Sequence, residues 1–323
     1  MNTGDDAVDV SIIIVNWNTR ALLAKAITSA RQWAGRQTVE TIVVDNASSD
    51  GSAEMVRALY SNVNLIVNTD NVGYTKACNQ GLALARGRYV LFLNSDAELM
   101  RGCLDELVRV MDAHPDIGAC SPAWDAEGQT VPAGVYPRLG LRMLPTERNR
   151  QIENRMIRAC RRDAECYDVE WIVGAVLLVR REVIAQIGGM EERLFMWYDD
   201  VDWCRRMQRR GWRRVIVPGA YARHEHGASV AQVPSLESDF RMTMAEYTYW
   251  RLHKGRVLTA ILYFTRVARL GSKWAFMVMW NLFCRNRDPK VKQALRLAAA
   301  RLGWHVKHGV GILLRQPRAY RGD

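Results

Sequence analysis

The stretch that most constrains this chain is Arg88–Glu98, which reads Arg-Tyr-Val-Leu-Phe-Leu-Asn-Ser-Asp-Ala-Glu. Tyr89–Leu93 is a continuous apolar run behind Gly87, rich in aromatic and branched residues and too short for an ordinary helix. Such a run suits a strand covered on both faces, as in a parallel sheet. It stops abruptly at Asn94-Ser95-Asp96. Open α/β sheets bind ligands beyond the carboxyl ends of their strands, at a topological switch point. A carboxylate at that edge, close to an amide, suits a divalent cation (Mg²⁺ or Mn²⁺) that bridges the phosphates of a substrate. The plain alternative is a solvated turn in which Asp96 caps the next helix.

The flanking sequence repeats the pattern. Val10–Val15 is a β-branched run ending at Asn16-Trp17-Asn18, followed by an amphipathic stretch over Ala21–Trp33. Thr41–Val44 ends at Asp45-Asn46, helix Ala53–Leu59 follows, and Leu65–Val67 reads as a third strand. Asn68–Ala77 and Asn79-Gln80-Gly81 read as a loop entering a helix that continues to Arg86. Strands and helices alternating every ~20–30 residues predict a doubly wound α/β sheet. Three strand ends carry Asn or Asp: Asn16–Asn18, Asp45–Asn46 and Asn94–Asp96. Polar residues at one strand end are ordinary turn formers, but three at the same edge would line a cleft. No Gly-x-Gly-x-x-Gly follows the first strand, which removes the main support for a dinucleotide-binding dehydrogenase.

Further on, helix Leu104–Ala113 and strand Ile117–Cys120 precede a proline- and arginine-rich segment, 121–168, which reads as a flap or a solvated loop. Trp171–Val179 is expected to be one buried strand, with Gly174 allowing a close backbone approach. Helix Arg180–Ile187 leads to a second acidic focus: Asp199, Asp200 and Asp202 behind Phe195-Met196-Trp197-Tyr198. Crowded carboxylates beside bulky apolar groups bind protons more tightly than usual, which suits a general base. Alternatively they cap a helix over Trp203–Arg210, with Asp202 as the N-cap. Strand Arg214–Val217 is expected to end at Pro218, ahead of His224 and His226. Both histidines read as core or surface residues unless a metal joins one of them to Asp96.

Charge divides the chain unevenly. Residues 1–120 carry 10 basic and 14 acidic side chains, whereas 241–323 carry 17 basic and 3 acidic, a net +14 within an overall +11. A basic terminal segment implies an anionic partner. Apolar blocks at Val257–Thr265 and Trp274–Cys284 lie among Arg266, Arg269, Lys273, Arg285 and Arg287. Together with Trp250, Trp274, Trp280 and Trp304 they suggest amphipathic helices lying at a membrane surface; a helical cap on the domain is the alternative. No helix–turn–helix, zinc or RNP motif supports nucleic acid. No apolar run reaches the roughly 18–20 residues of a membrane span, Asp5, Asp6 and Asp9 are wrong for a signal peptide, and seven scattered cysteines suit a reducing compartment. The expected organisation is an unordered 1–9, an α/β domain over 10–240 and a basic helical tail over 241–323, in a cytoplasmic protein at the inner face of the plasma membrane.

Taken in order, seven blocks resemble the inverting nucleotide-sugar transferases of glycosyltransferase family 2, and particularly their rhamnosyltransferase-like branch. They are Ser11–Asn18, Asp45–Ser52, Asn71–Gly81, Leu91–Glu98, Gly174–Ala175, Gly188–Trp203 and His224–Ser229. The resemblance implies a GT-A-type (Rossmann-like) doubly wound mixed sheet with a basic helical C-terminal extension. It implies a nucleoside diphosphate sugar donor (dTDP- or UDP-sugar) bound along Asn16, Asp45, Asn71, Gly73, Asn79 and Asn94, with Asp45 on the base. Asp96 and His224 would be metal ligands, Asp200 the catalytic base with Asp199 beside it, and Trp171, Gly174 and Trp197 would meet a lipid-linked glycan acceptor. Two departures stand out. Asn94 occupies the first position of the usual Asp-x-Asp, and Asp199-Asp200 replaces the commoner Glu-Asp, which leaves open which carboxylate takes the proton. A non-catalytic sugar-nucleotide or glycan binder, and a basic membrane-binding scaffold, are the competing functions.

Overall fold

A computed structural model of the chain describes residues 7–124, 132–140, 148, 151–152, 165–225, 232–283 and 289–314. Expectations placed on residues 1–6, on most of the arginine-rich segment and on His226 lie outside these. The chain forms two compact units. The first comprises Met1–Tyr136, Arg150–Glu192 and Asp199–Gln232; the second comprises Pro137–Asn149, Arg193–Tyr198 and Val233–Asp323.

The first unit is built on a mixed nine-stranded sheet. Strands β1 (Val10–Asn16), β2 (Val39–Asp45), β3 (Val63–Val67) and β4 (Tyr89–Leu93) run parallel in the order β3-β2-β1-β4. Register sets Asn16 beside Asp45, so the polar ends of two expected strands lie side by side. Alternate residues of these apolar strands cover opposite faces. Ile12, Ile14, Leu91 and Leu93 join the core made with α1 (Arg20–Gln32) and α4 (Cys103–Ala113). On the other face, Ile13 packs at Gly81 of α3 (Tyr74–Leu84), and Phe92 meets the indole edge of Trp203, 5.2 Å between centroids, on α6 (Asp199–Arg209).

The sheet continues past β4 through β10 (Val176–Arg180), antiparallel to its neighbours, then β6 (Ile117–Ala123), β11 (Arg213–His224) and β5 (Ala97–Leu99). Strand β8 (Tyr167–Asp168) pairs β11, and β7 (Ala133–Gly134) forms a separate ribbon with β9 (Trp171–Ile172). Helices α2 (Ser52–Leu59) and α5 (Arg181–Ile187) complete the described elements.

Four expectations are corrected, and one strand was not anticipated. The Trp171–Val179 run is broken at Val173-Gly174-Ala175 into β9 and β10. Strand β11 passes through Pro218 to His224, with its register against β6 disturbed between Val217 and Tyr221, the kind of irregularity at which a strand tolerates proline. Ala97–Leu99 pairs as a strand, although three residues carry no readable period. Helix α6 begins at Asp199, so Asp202 lies in its first turn and pairs with Arg206 at 2.9 Å rather than capping it. Helix α3 begins at Tyr74, which puts Asn79-Gln80-Gly81 inside it. Those polar residues read as loop because their partners are distant in sequence: Gln80 and Asn68 exchange two amide hydrogen bonds of 2.9 Å.

The second unit contains α7 (Ser235–His253), α8 (Gly255–Phe283) and α9 (Pro289–Leu314). Its interior includes Tyr247, Tyr249, Leu262 and Tyr263, with Glu246 paired to Arg266 at 2.5 Å and the Tyr263 hydroxyl donating to the His305 carbonyl at 3.0 Å. Trp250 and Trp304, expected at a membrane surface, are 1% and 6% exposed and belong to this core; Trp274 and Trp280 are on the surface. Among the described residues no helix is long and apolar enough to cross a membrane.

Candidate active site

The parallel strands of the first unit deliver their polar ends to one edge, where the side chains hold one another. Asn16 Nδ2 donates to Asp45 Oδ1 at 2.9 Å and to Ser48 Oγ at 3.0 Å. Its Oδ1 accepts from Thr19 Oγ1 at 2.6 Å, and Thr19 in turn meets Ser95 Oγ at 2.8 Å. The second Asp45 oxygen accepts the Ser48 N–H at 3.0 Å. This buried chain joins the ends of β1, β2 and β4, and fully bonded polar networks of this kind fix geometry.

A second lattice centres on Asn46. Its amide donates to Asn71 Oδ1 at 2.9 Å, and its Oδ1 accepts from Val72 N–H and from Asn68 Nδ2, both at 3.1 Å. Asn71 Oδ1 also accepts the Gly73 N–H at 3.1 Å, one residue before α3. Asn71 and Gly73 are thus tied to the β2 end that carries Asp45. Asn79 faces elsewhere: its amide exchanges hydrogen bonds with the Met190 main chain, 2.8 and 2.9 Å, and reaches Glu192 at 3.0 Å. A Cβ on Gly189 would lie 2.4 Å from Asn79 Oδ1, so a side chain there would displace this clamp. Trp203 Nε1 and Arg206 hold the same turn through the carbonyls of Ile187, Gly188 and Gly189.

Asp96 and His224 meet directly. Antiparallel pairing of β5 with β11 sets His224 opposite Ala97, and His224 Nε2 lies 3.1 Å from Asp96 Oδ1. Both side chains are at most a tenth exposed, and the Trp124 ring meets the imidazole edge, 4.9 Å between centroids. One carboxylate oxygen and one ring nitrogen converge, as two neighbouring ligands of a divalent ion do. Substrate phosphates commonly supply the remaining ligands of such an ion. The pair therefore fits a phosphate-bridging metal. Among the described residues no group of three or more His, Cys, Asp or Glu side chains gathers as a metal-ligand set.

The second acidic focus opens α6. Asp200 Oδ2 accepts the Gly174 N–H at 3.2 Å and Oδ1 accepts the Val201 N–H at 2.7 Å. A Cβ on Gly174 would sit 3.6 Å from Asp200 Cβ, ordinary contact; what this position supplies is its N–H, and no unusually close approach is needed. The adjacent Ala175 carbonyl accepts the Asn94 N–H at 2.8 Å, and the Asn94 amide oxygen accepts the Tyr74 hydroxyl at 3.2 Å. Asp96 and Asp200 therefore belong to one edge, linked through Asn94, Ala175 and Gly174. Burial raises the proton affinity of both Asp199 and Asp200 above the ordinary carboxylate range. For Asp199 the neighbouring charges of Asp200 and Asp202 add to burial while main-chain N–H groups oppose it; for Asp200 main-chain N–H groups, those of Gly174 and Val201 among them, oppose it.

Just before α6 the chain passes through two left-handed residues, Trp197 at φ +67° and Tyr198 at φ +60°. Bulky residues rarely adopt this region, at a cost on the order of 1–3 kcal/mol each. Trp171 is engaged within its own ribbon. Its indole N–H donates to the Val135 carbonyl at 3.0 Å, and its ring covers Gly134, the residue it faces across the β7–β9 pair. Sequence reasoning placed Asn46 and Ser95 at this edge without a role of their own and missed Thr19, Ser48 and Tyr74 as parts of it. Only their nearness to strand ends signalled them.

Residues 11–188 match the model of glycosyl transferase family 2. The chain is similar to an N-acetylglucosaminyl-diphospho-decaprenol L-rhamnosyltransferase of Mycobacterium tuberculosis, 30% identical over 219 residues covering 62% of this chain and 71% of that protein. It is also similar to a succinoglycan biosynthesis protein of Rhizobium meliloti, 34% identical over 34% of this chain and 31% of that protein. Among solved structures, a Pyrobaculum calidifontis mannosyltransferase in complex with GDP-Man and Mn²⁺ superposes with TM-score 0.54 at 16% identity, covering 93% of this chain and 87% of that one. GalNAc-T7 with UDP, GalNAc and Mn²⁺ gives 0.56 at 16% identity, over 76% and 50%. These likenesses give the fold, a GT-A-type mixed α/β sheet with a helical C-terminal part. The chain belongs to glycosyl transferase family 2, in its rhamnosyltransferase-like branch.

Proposed function

We propose that this protein is an inverting, metal-dependent transferase. It moves a sugar, rhamnose in the reading favoured by the mycobacterial relative, from a dTDP- or UDP-linked donor to a hydroxyl of a lipid-linked cell-envelope glycan. The observation that carries the proposal is Asp200, half-buried and held through Gly174 on the same sheet edge as the Asp96–His224 pair. Inversion needs one base. Asp200 takes the acceptor hydroxyl proton while that oxygen attacks the anomeric carbon, and the bond from that carbon to the diphosphate oxygen breaks with its electron pair leaving on the diphosphate. The diphosphate is already a good leaving group, so the acid partner used in glycoside hydrolysis is not required.

Asp96 and His224 would hold Mg²⁺ or Mn²⁺, which when bound neutralises charge developing on the departing diphosphate. Asp45, Asn71 and Gly73, fixed by Asn16 and Asn46, support a donor site whose polar groups are set in advance. Asn94 stands between that site and the base. Asn79 orders the Met190–Glu192 segment, and Trp171 and Trp197 are assigned to the acceptor side. An acceptor carried on a lipid would keep the enzyme peripherally at the inner face of the plasma membrane. The test is transfer to a decaprenyl-type acceptor from a panel of nucleotide sugars, with and without chelator. Selective, chelator-sensitive use of dTDP-rhamnose is expected; full turnover in chelator overturns the metal assignment, and preference for another sugar overturns rhamnose.

A further inference from the structure

Helix α8 presents two contrasting faces. Thr259, Leu262 and Tyr263 are buried in the second unit. The opposite face carries Val257, Ile261, Phe264, Met279 and Leu282, at spacings of three and four or their multiples, with Phe276 and Phe283 beside them. At 100° per residue these fall on one stripe along the helix. All seven are exposed, Phe283 by 90% and Val257 by 73%, and no charged residue interrupts the stripe. Large apolar side chains left exposed along one helix face, with only small residues such as Ala268, Ser272 and Ala275 between its two ends, mark an interaction site.

Charge identifies the occupant. Arg256, Arg269 and Lys273 flank the stripe, and α9 adds Lys290, Lys292, Arg296 and Lys307, while Arg301 is paired to Asp239. Helices α8 and α9 contain no Asp or Glu. A second copy of this chain would bring a cationic surface against a cationic surface. An anionic bilayer supplies the opposite charge together with an apolar layer, the pairing that holds a helix in the plane of an interface. We infer that the outward face of α8 lies in the surface of an anionic membrane, with its apolar stripe among the acyl chains and its flanking cations on lipid phosphates. The proposed lipid-linked acceptor gives this surface a purpose, but the binding is measurable without it.

The test uses the full chain with vesicles of phosphatidylcholine alone or with phosphatidylglycerol. Co-sedimentation with the phosphatidylglycerol vesicles is expected, weakening as salt is raised. Met279→Asp or Phe276→Asp should reduce it by roughly tenfold or more, because each places a charge among acyl chains. Arg269→Glu with Lys273→Glu should do the same at low salt. These positions are exposed, so unchanged circular dichroism and unchanged transfer to a short-chain, water-soluble acceptor are expected, and they separate failure here from failure of the sugar chemistry. Equal binding by Met279→Asp, or no binding by the native chain, overturns the inference. So does a native dimer in light scattering that Met279→Asp converts to monomer, since the stripe would then be a subunit interface.

Discussion

The two acidic foci of the first unit share a sheet edge but are built in opposite ways. Asp96 and His224 are placed by strand register: once β5 pairs with β11, their side chains have one place to meet. Asp199 and Asp200 are placed by a turn through two left-handed aromatic residues and by the first turn of a helix. One focus joins an acid to a nitrogen base and suits a cation. The other crowds acids together in a buried setting, so it retains protons. Adjacent carboxylates acquire different chemistry from their surroundings rather than from their identity.

Substitutions can break that contrast. Asp96→Ala is expected to have the largest effect, lowering turnover by about 10³-fold or more, the scale of losing metal stabilisation of a leaving group. Metal titration of the donor complex should fail alongside it, and normal turnover would make Asp96 a turn cap. Asp200→Asn keeps the shape and removes the basicity, so kcat should fall by about 10²–10⁴ with donor affinity preserved. If Asp199→Asn is dead instead, the roles of the two carboxylates are exchanged. His224→Ala should weaken apparent metal affinity by at least ~10–100-fold and His226→Ala by less; the reverse order would name the wrong histidine.

The pH response is smaller and has a definite sign. Asp199 and Asp200 bind protons more tightly folded than unfolded, so the folded state holds the extra protons. That advantage is full below the unfolded carboxylate value, about 4, and is lost as pH rises from there through the raised folded values, the Asp199 value lying above neutrality. Asp199→Asn should therefore raise stability at pH 8 relative to pH 5 by about 1 kcal/mol or more, read from denaturant midpoints at the two pH values. A lower midpoint at pH 8 would mean that the Asp199 charge is favourable. Gly174→Ala should be nearly silent in kcat/KM, because the added methyl meets ordinary space and the N–H remains; a large loss would restore a steric role for the missing side chain.

Tyr89–Leu93 was legible as a strand because five buried apolar residues end in a polar triplet, and the structure places the strand on those residues. The Asn16–Asp45 neighbourhood followed from the alternation of strands and helices. Less of the site could be read where the partners are remote. Ala97–Leu99 is too short for a period, yet it brings His224 to Asp96. Pro218 reads as a stop, but the disturbed register beside it lets β11 continue to that histidine. Asn79 carries the composition of a loop, and only its bonds to Met190 and Glu192 explain it inside a helix. Trp250 and Trp304 show the same limit in the second unit: an indole near arginines looks interfacial until its burial is known.

The Asp96–His224 contact spans 128 residues of chain. Local elements form early and long-range pairings late, because loop closure must come first. During synthesis the chain emerges from its N-terminal end, so the Asn16–Asp45 network can assemble while β11 is still unmade. A growing or truncated chain ending before His224 would thus hold the asparagines at the β1 and β2 ends without the completed acid–imidazole pair. Completion of this pair coincides with closure of the far edge of the sheet, so the environment of the His224 ring reports directly on whether that edge has folded.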